Sequence, residues 1–90
     1  MQSKNKKAPT SAERRHIAGI RALPCSVCGR SGPSEAHEIK QGQWFTSVAL
    51  CMDCHRGQNG IHGDKTMWRI YKMDEIDALA VTIERLMVRT

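Results

Sequence analysis

The strongest constraint on the fold is a set of four cysteines in two close pairs, Cys25/Cys28 and Cys51/Cys54, with twenty-two residues between the pairs. Two residues between cysteines let both sulfurs of a knuckle turn towards one ion, and Gly29 relieves the backbone just after the first pair. Four thiolates fill a tetrahedral Zn²⁺ shell and leave no position open to water, so the implied zinc is structural. A chain of ninety residues needs such help, because a domain this small buries too little surface to be stable on apolar packing alone. No signal-peptide core and no long apolar run accompanies the cysteines. That points to a reducing, cytoplasmic compartment and no membrane, where thiols at this spacing bind metal in preference to pairing as disulfides. Redox chemistry would need one C-x-x-C on a βαβ unit, which the sequence does not offer.

Around this centre the chain reads as a single domain over residues 10–90, preceded by a basic, flexible tail over 1–9. Thr10 and Glu13 form a capping-box pattern ahead of Ile17, Ile20 and Leu23, which predicts a helix over 11–21 that Pro24 ends. Between Cys25 and Gly63 glycine is frequent and periodic apolar runs are short, so this stretch needs a metal to organise it. Two short strands fit within it, at 35–40 and 47–50, separated by the loop Gln41-Gly42-Gln43 and the pair Trp44-Phe45. Those two aromatics are expected to pack beneath the loop, with stacking on bases as the alternative. Further on, Asp64 or Lys65 begins a short helix carrying Met67, Trp68, Ile70 and Tyr71. Asp74 then caps a longer one whose Ile76, Leu79, Ala80, Ile83, Leu86 and Met87 share a face, as core or as a dimer seam. The fold class is α+β.

The net charge of +5 lies entirely in the first forty residues, where eight Lys/Arg stand against Glu13, Glu35 and Glu38; the remaining fifty carry six of each sign. Such a bias suits a polyanion such as nucleic acid, and equally a merely solvated tail. Lys4, Lys6 and Lys7 belong to the tail, whereas Arg30, Lys40, Arg56 and Lys65 flank the central segment, where they can neutralise phosphates. No helix carries a base-reading run of Arg, Asn and Gln, so weak sequence specificity is expected.

Zinc explains the cysteines but not the histidines that lie among and after them. His16, on the first helix, reads as a solvated residue. If a helix starts near Cys51, His55 points about 100° away from Cys54, so the cysteine can face zinc while the histidine faces a second site. His62 would lie ~10.5 Å further along a straight helix, too far to share an ion with His55. Gly57 and Gly60 let the chain fold back instead and bring the two together.

The order "PCSVCGRSGPSEAHEIKQG…VALCMDCHRGQNGIHGD", over residues 23–64, resembles the zinc-containing HNH endonucleases, especially the compact phage and prophage kind. The resemblance implies a ββα-metal domain with flanking helices. It also implies hydrolysis of DNA phosphodiester bonds, as nicks by a monomer and as double-strand breaks by a homodimer or by two events. His55 and His62 would hold a catalytic Mg²⁺ or Mn²⁺. Two registers are open at Ala36-His37-Glu38. Either His37 activates water with Glu38 or Glu35 helping the metal, or His37 is a metal ligand and Glu38 takes the base position. Imidazole is better matched to accepting a proton near neutrality, which favours the first. The residue that is often Asn in the family falls near Thr46 or Ser47. The competing readings are a non-catalytic zinc-ribbon binding module, with one metal and no hydrolysis, and a degenerate HNH domain that binds DNA without cutting it.

Overall fold

The structure, a computed structural model, describes residues 8–88. The tail lysines Lys4, Lys6 and Lys7 lie outside the described residues. Helix α1 (Ser11–Arg21) starts on the expected capping box: the Thr10 side chain accepts from the Glu13 amide at 3.1 Å and the Glu13 carboxylate accepts from the Thr10 amide at 2.8 Å. Two antiparallel strands follow, β1 (Glu35–Glu38) and β2 (Ser47–Leu50), joined through a 3-10 turn at Trp44–Thr46. Then come the short helices α2 (Met52–His55) and α3 (Thr66–Ile70) and the longer α4 (Glu75–Val88). The protein is a small α+β domain with a two-stranded sheet and a four-cysteine cluster able to bind zinc. Among the described residues no helix is long and apolar enough to cross a membrane.

The pleat of β2 divides the interior in two. All four of its residues are buried. Val48 and Leu50 face a core of Cys25, Val27, Cys51, Cys54, Trp68 and Ala78, while Ala49 faces Ile20 and Leu23 on the other side. Register carries the same division into β1: His37 stands opposite Val48 and Glu35 opposite Leu50, whereas Ala36 stands opposite Ala49 and Glu38 opposite Ser47. Directly opposed residues share a sheet face, so Glu35 and His37 point to the cysteine side and Ala36 and Glu38 to the α1 side.

Two expectations need correction. Strand β1 ends at Glu38, not Lys40, because the residue that would oppose Ile39 is Thr46, which belongs to the 3-10 turn. Gly42, at φ +89°, and the Gln43 amide bonded to the Lys40 carbonyl then reverse the chain. On α4 the buried residues are Ala78 and Thr82; of the apolar stripe read from the sequence Leu79 and Leu86 pack against the two cores as expected, whereas Ile76, Ile83 and Met87 face outward. Ile76 and Met87 are 64% and 70% exposed. Thr82 is buried because its hydroxyl is fully used: it bonds the Ala78 carbonyl at 2.9 Å, pairs with Ser26 Oγ at 2.6 Å, and accepts from the Ala49 amide. Asp74 caps α4 as expected, in a reciprocal box with Asp77.

Candidate metal centre

The first cysteine pair sits on a knuckle closed by the Gly29 amide bonding the Cys25 carbonyl at 3.0 Å, with Gly29 in the left-handed region at φ +80°. Cys51 is the residue before α2 and Cys54 lies within it. The four sulfurs all lie within 4.8 Å of one another, none in a disulfide, and Cys28 Sγ is 3.7 Å from Cys51 Sγ. Two thiolates on a tetrahedral zinc with bonds of about 2.3 Å would be roughly 3.8 Å apart, so the set fits the ion. Its electrostatics call for a cation. Burial, with the neighbouring Cys25 and Cys51, drives the Cys54 thiol far up, and burial raises Cys28 as well. At Cys25 burial also opposes ionisation, but the amides of Cys28, Cys51 and Val27 outweigh it and draw the thiol down to about 7. Four thiolates cannot coexist there without a counter-charge.

A second cluster lies one residue along. His37 on β1, His55 at the end of α2 and His62 in the following loop have ring centroids 4.9–5.2 Å apart, and one ring nitrogen of each lies within 4.8 Å of the others. Adjacent helical residues diverge by about 100°, which is how Cys54 and His55 serve different clusters. The chain reaches His62 by folding back onto α2: the Ile61 amide bonds the Cys54 carbonyl at 2.9 Å and the His62 amide bonds the His55 carbonyl at 3.0 Å. Glycine is needed here for close approach, since a Cβ on Gly60 would lie 2.6 Å from the His55 carbonyl oxygen and 2.7 Å from the Cys54 carbonyl carbon. Gly60→Ala should therefore push the loop off α2 and raise the divalent-ion concentration needed to fill the histidine cluster by about tenfold or more. Zinc per chain, measured by elemental analysis, should stay at the wild-type level, because the cysteines come from the knuckle and from α2. Unchanged ion affinity would show that the fold-back does not position His62.

Two carboxylates orient the rings. Glu75 Oε2 lies 2.6 Å from His37 Nε2, and Glu35 Oε1 lies 2.8 Å from His55 Nδ1. A carboxylate accepts, so the proton sits on those nitrogens and leaves the lone pairs of His37 Nδ1 and His55 Nε2 for a metal. Glu35 also takes a forked pair of bonds from Arg56, at 2.7–3.0 Å, and the hydrogen bonds from Arg56 and His55 hold its carboxyl down at about 2. Glu35 thus stands behind His55, bonded to Nδ1 of its ring and to Arg56. Glu75 was not among the sequence candidates: it follows His37 by 38 residues, and only the packing of α4 against the sheet brings it there.

The remaining candidates are scattered around this centre. Glu38 is on the opposite face of β1 from His37 but, at the strand end, lines the same cavity of about 680 Å³, with Trp44, Gln41 and Lys65. Its carboxylate accepts from the Gly42 amide at 3.1 Å. Thr46 and Ser47 bond carbonyls of their own turn, at Gln43 and Trp44. Arg30 pairs with Asp53 at 3.0 Å and Arg56 with Glu35, so both charges are partly spent within the fold; Lys40 is exposed on the bend after β1. Neither aromatic is buried beneath the loop. Trp44 forms a cavity wall and Phe45 is 53% exposed, packed against His16 with centroids 5.2 Å apart. His16 is accordingly half-buried, not solvated, and its Nε2 is enclosed without a hydrogen-bond partner among the described residues. No known family, curated protein or solved structure matches the chain, so the reading of this centre rests on its own residues.

Proposed function

We propose that the protein is a metal-dependent endonuclease of the HNH type, in which β1, β2 and α2 form a ββα-metal unit and the four cysteines hold a structural zinc. One observation carries the reading: His37, His55 and His62 converge on one point beside, but separate from, the cysteine cluster. A zinc ribbon with incidental histidines gives no reason for the convergence, nor for a carboxylate behind two of the three rings. Three imidazoles leave coordination positions open, as a catalytic ion requires and a structural one does not. Bound there, a divalent ion would act as Lewis acid towards the scissile phosphate and the leaving oxygen.

The convergence favours the register in which His37 is a ligand. Glu38 then takes the base position, its carboxylate receiving the proton of the attacking water. Glu75 and Glu35 keep the donor nitrogens aimed, and Trp44 walls the cavity in which the phosphate is held. The substrate is DNA, engaged through its backbone, and a single centre of this kind cuts one strand.

Imidazole donors favour transition metals over Mg²⁺, which prefers oxygen. Supercoiled plasmid should therefore be converted to nicked circles with Mn²⁺ at concentrations at least about tenfold below those needed with Mg²⁺. The protein should bind two metal ions per chain, one removed readily and one resistant to mild chelation. Two bound ions with no nicking under either metal would reduce the histidine cluster to a second structural site.

A further inference from the structure

The cavity at the histidines, about 680 Å³, is far larger than an ion and one phosphate need, and falls within the range that holds a whole small molecule, about 300–1,000 Å³. Its walls are of two kinds. The three histidines, with Glu38 and Glu75 beside them, form the part that a metal and a reacting phosphate use. The loop between β1 and β2 adds Gln41 and Trp44, an amide and an aromatic ring that neither a metal nor a phosphate requires.

Loop geometry fixes Trp44 at this wall. Successive side chains of a 3-10 turn diverge by about 120°, so Trp44 and Phe45 cannot face the same way. Trp44 lines the cavity, while Phe45 packs on His16 of α1. Hydrogen bonds brace the chain on both sides of the indole. The Gly42 amide donates to Glu38 at 3.1 Å and the Gln43 amide to the Lys40 carbonyl at 3.0 Å. Thr46 Oγ1 donates to the Gln43 carbonyl at 3.2 Å, and the buried Ser47 hydroxyl to the Trp44 carbonyl itself at 2.8 Å. A tryptophan needed only for packing would lie in a core, as Trp68 does at 3% exposure; Trp44 belongs to neither core and is half-buried. A half-buried indole on a braced turn at a cavity wall is a pre-organised surface for another flat ring.

The chemistry of the loop narrows what that ring is. From Ile39 to Met52 the sequence has no Asp or Glu and a single cation, Lys40. Stacking and an amide recognise a neutral, planar, hydrogen-bonding group, for which no cationic wall is needed: the indole takes the face of a nucleobase, and Gln41 offers a donor and an acceptor to its edge. The two carboxylates of the cavity are engaged with the protein, Glu75 with His37 and Glu38 with the Gly42 amide. In an intact duplex both faces of a base are covered by its neighbours, so a base that stacks on Trp44 is one that has left the helical stack.

We infer that Trp44 and Gln41 form a subsite for an unpaired nucleobase of the strand whose phosphate lies at the histidine cluster, which makes single-stranded or locally opened DNA the favoured substrate. The inference rests on the nuclease reading for the place of that phosphate, but binding at the subsite is measurable without cleavage. The test uses the zinc-loaded full chain with no added catalytic ion, and two fluorescein-labelled probes of one sequence, a DNA single strand and its duplex, followed by anisotropy. Trp44→Ala should lose about five- to a hundredfold in affinity for the single strand, the weight of one base–aromatic stack, and less than about twofold for the duplex. Trp44→Phe, which keeps a ring, should retain most of the single-strand affinity. Gln41→Ala should lose about two- to tenfold, the weight of one hydrogen bond. An unlabelled single strand should quench the tryptophan emission of the wild type and of Gln41→Ala but not of Trp44→Phe, whose remaining indole is the buried Trp68. All three variants should keep the far-ultraviolet circular dichroism of the wild type. Equal losses on both probes, undiminished single-strand affinity in Trp44→Ala, or single-strand binding without quenching would overturn the subsite. If the selective loss and the quenching appear but added Mn²⁺ brings no cleavage of either probe, the nuclease reading fails and the subsite stands. If the chain cleaves while Trp44→Ala binds the single strand as the wild type does, the subsite fails alone.

Discussion

Cys51→Ser should abolish the fold, not weaken it. The sulfur of Cys51 is 3.7 Å from that of Cys28 in a cluster of which three members are buried, and the apolar core around it consists of Val27, Val48, Leu50, Trp68 and Ala78. Those side chains pack on the cysteines and, through them, would pack around the zinc these could hold. The Trp68 indole reaches the Cys54 carbonyl at 2.8 Å, so even α3 is anchored to a residue of the cysteine cluster. A structural zinc supplies an apparent 10–16 kcal/mol, roughly, to small domains. Whole domains are stable by only about 5–15 kcal/mol. A hydroxyl is a poor zinc ligand, and its loss of coordination would also leave the Cys28 and Cys54 thiols in a pocket that opposes their ionisation. Far-ultraviolet circular dichroism of the variant should show a largely unfolded chain without a cooperative thermal transition. Stripping the wild type with a strong zinc chelator should give the same spectrum. A cooperative transition near the wild-type midpoint would mean that the apolar core suffices, and that the cysteines are not the keystone.

Much of this arrangement can be traced to local patterns. The Thr10/Glu13 box, the position of β2 and the start of α2 after Cys51 each depend on a few neighbouring residues, and each lies where those residues put it. The fold-back of His62 follows from Gly60, although through a close approach and not through an unusual backbone angle. What was not legible depends on partners distant in sequence. The stripe Ile76, Ile83 and Met87 looks like the buried face of α4 by hydrophobicity alone. The polar Thr82 takes that place because Ser26 and the Ala49 amide, dozens of residues away, satisfy its oxygen. Glu75 reads as an ordinary surface acid, and Glu35 as a helper of the metal, until the tertiary fold sets them behind His37 and His55. His16 reads as solvated for the same reason, since nothing in α1 foretells Phe45. Periodicity reports which face of an element is apolar; it does not report which polar groups will find partners.

The two registers at His37 and Glu38 predict opposite behaviour of their variants, and the proposed one, with His37 as ligand and Glu38 as base, has definite consequences. His37 is nearly enclosed, with its side chain 6% exposed, Nε2 bonded to Glu75 and the ring edge-on to those of His55 and His62. As one of three ligands its loss removes a donor nitrogen and leaves Glu75 without its ring. His37→Ala should then raise the Mn²⁺ concentration for half-maximal nicking by about ten- to a hundredfold. Cleavage should recover largely when the ion is in excess. Glu38 lies outside the cluster of donor nitrogens, on the other face of the strand, while still lining the cavity. Glu38→Gln should therefore leave Mn²⁺ affinity, read by isothermal titration, close to wild type and lower the nicking rate at saturating ion by about 10²–10⁴-fold, the usual weight of a general base. Amide for carboxylate preserves size and the bond from the Gly42 amide, so a rate loss of that kind would not be a folding defect. The reverse pattern, with His37→Ala inactive at every ion concentration and Glu38→Gln active, would return the base to His37. The ion would then be left to His55 and His62, with the third ring as their neighbour and not their equal.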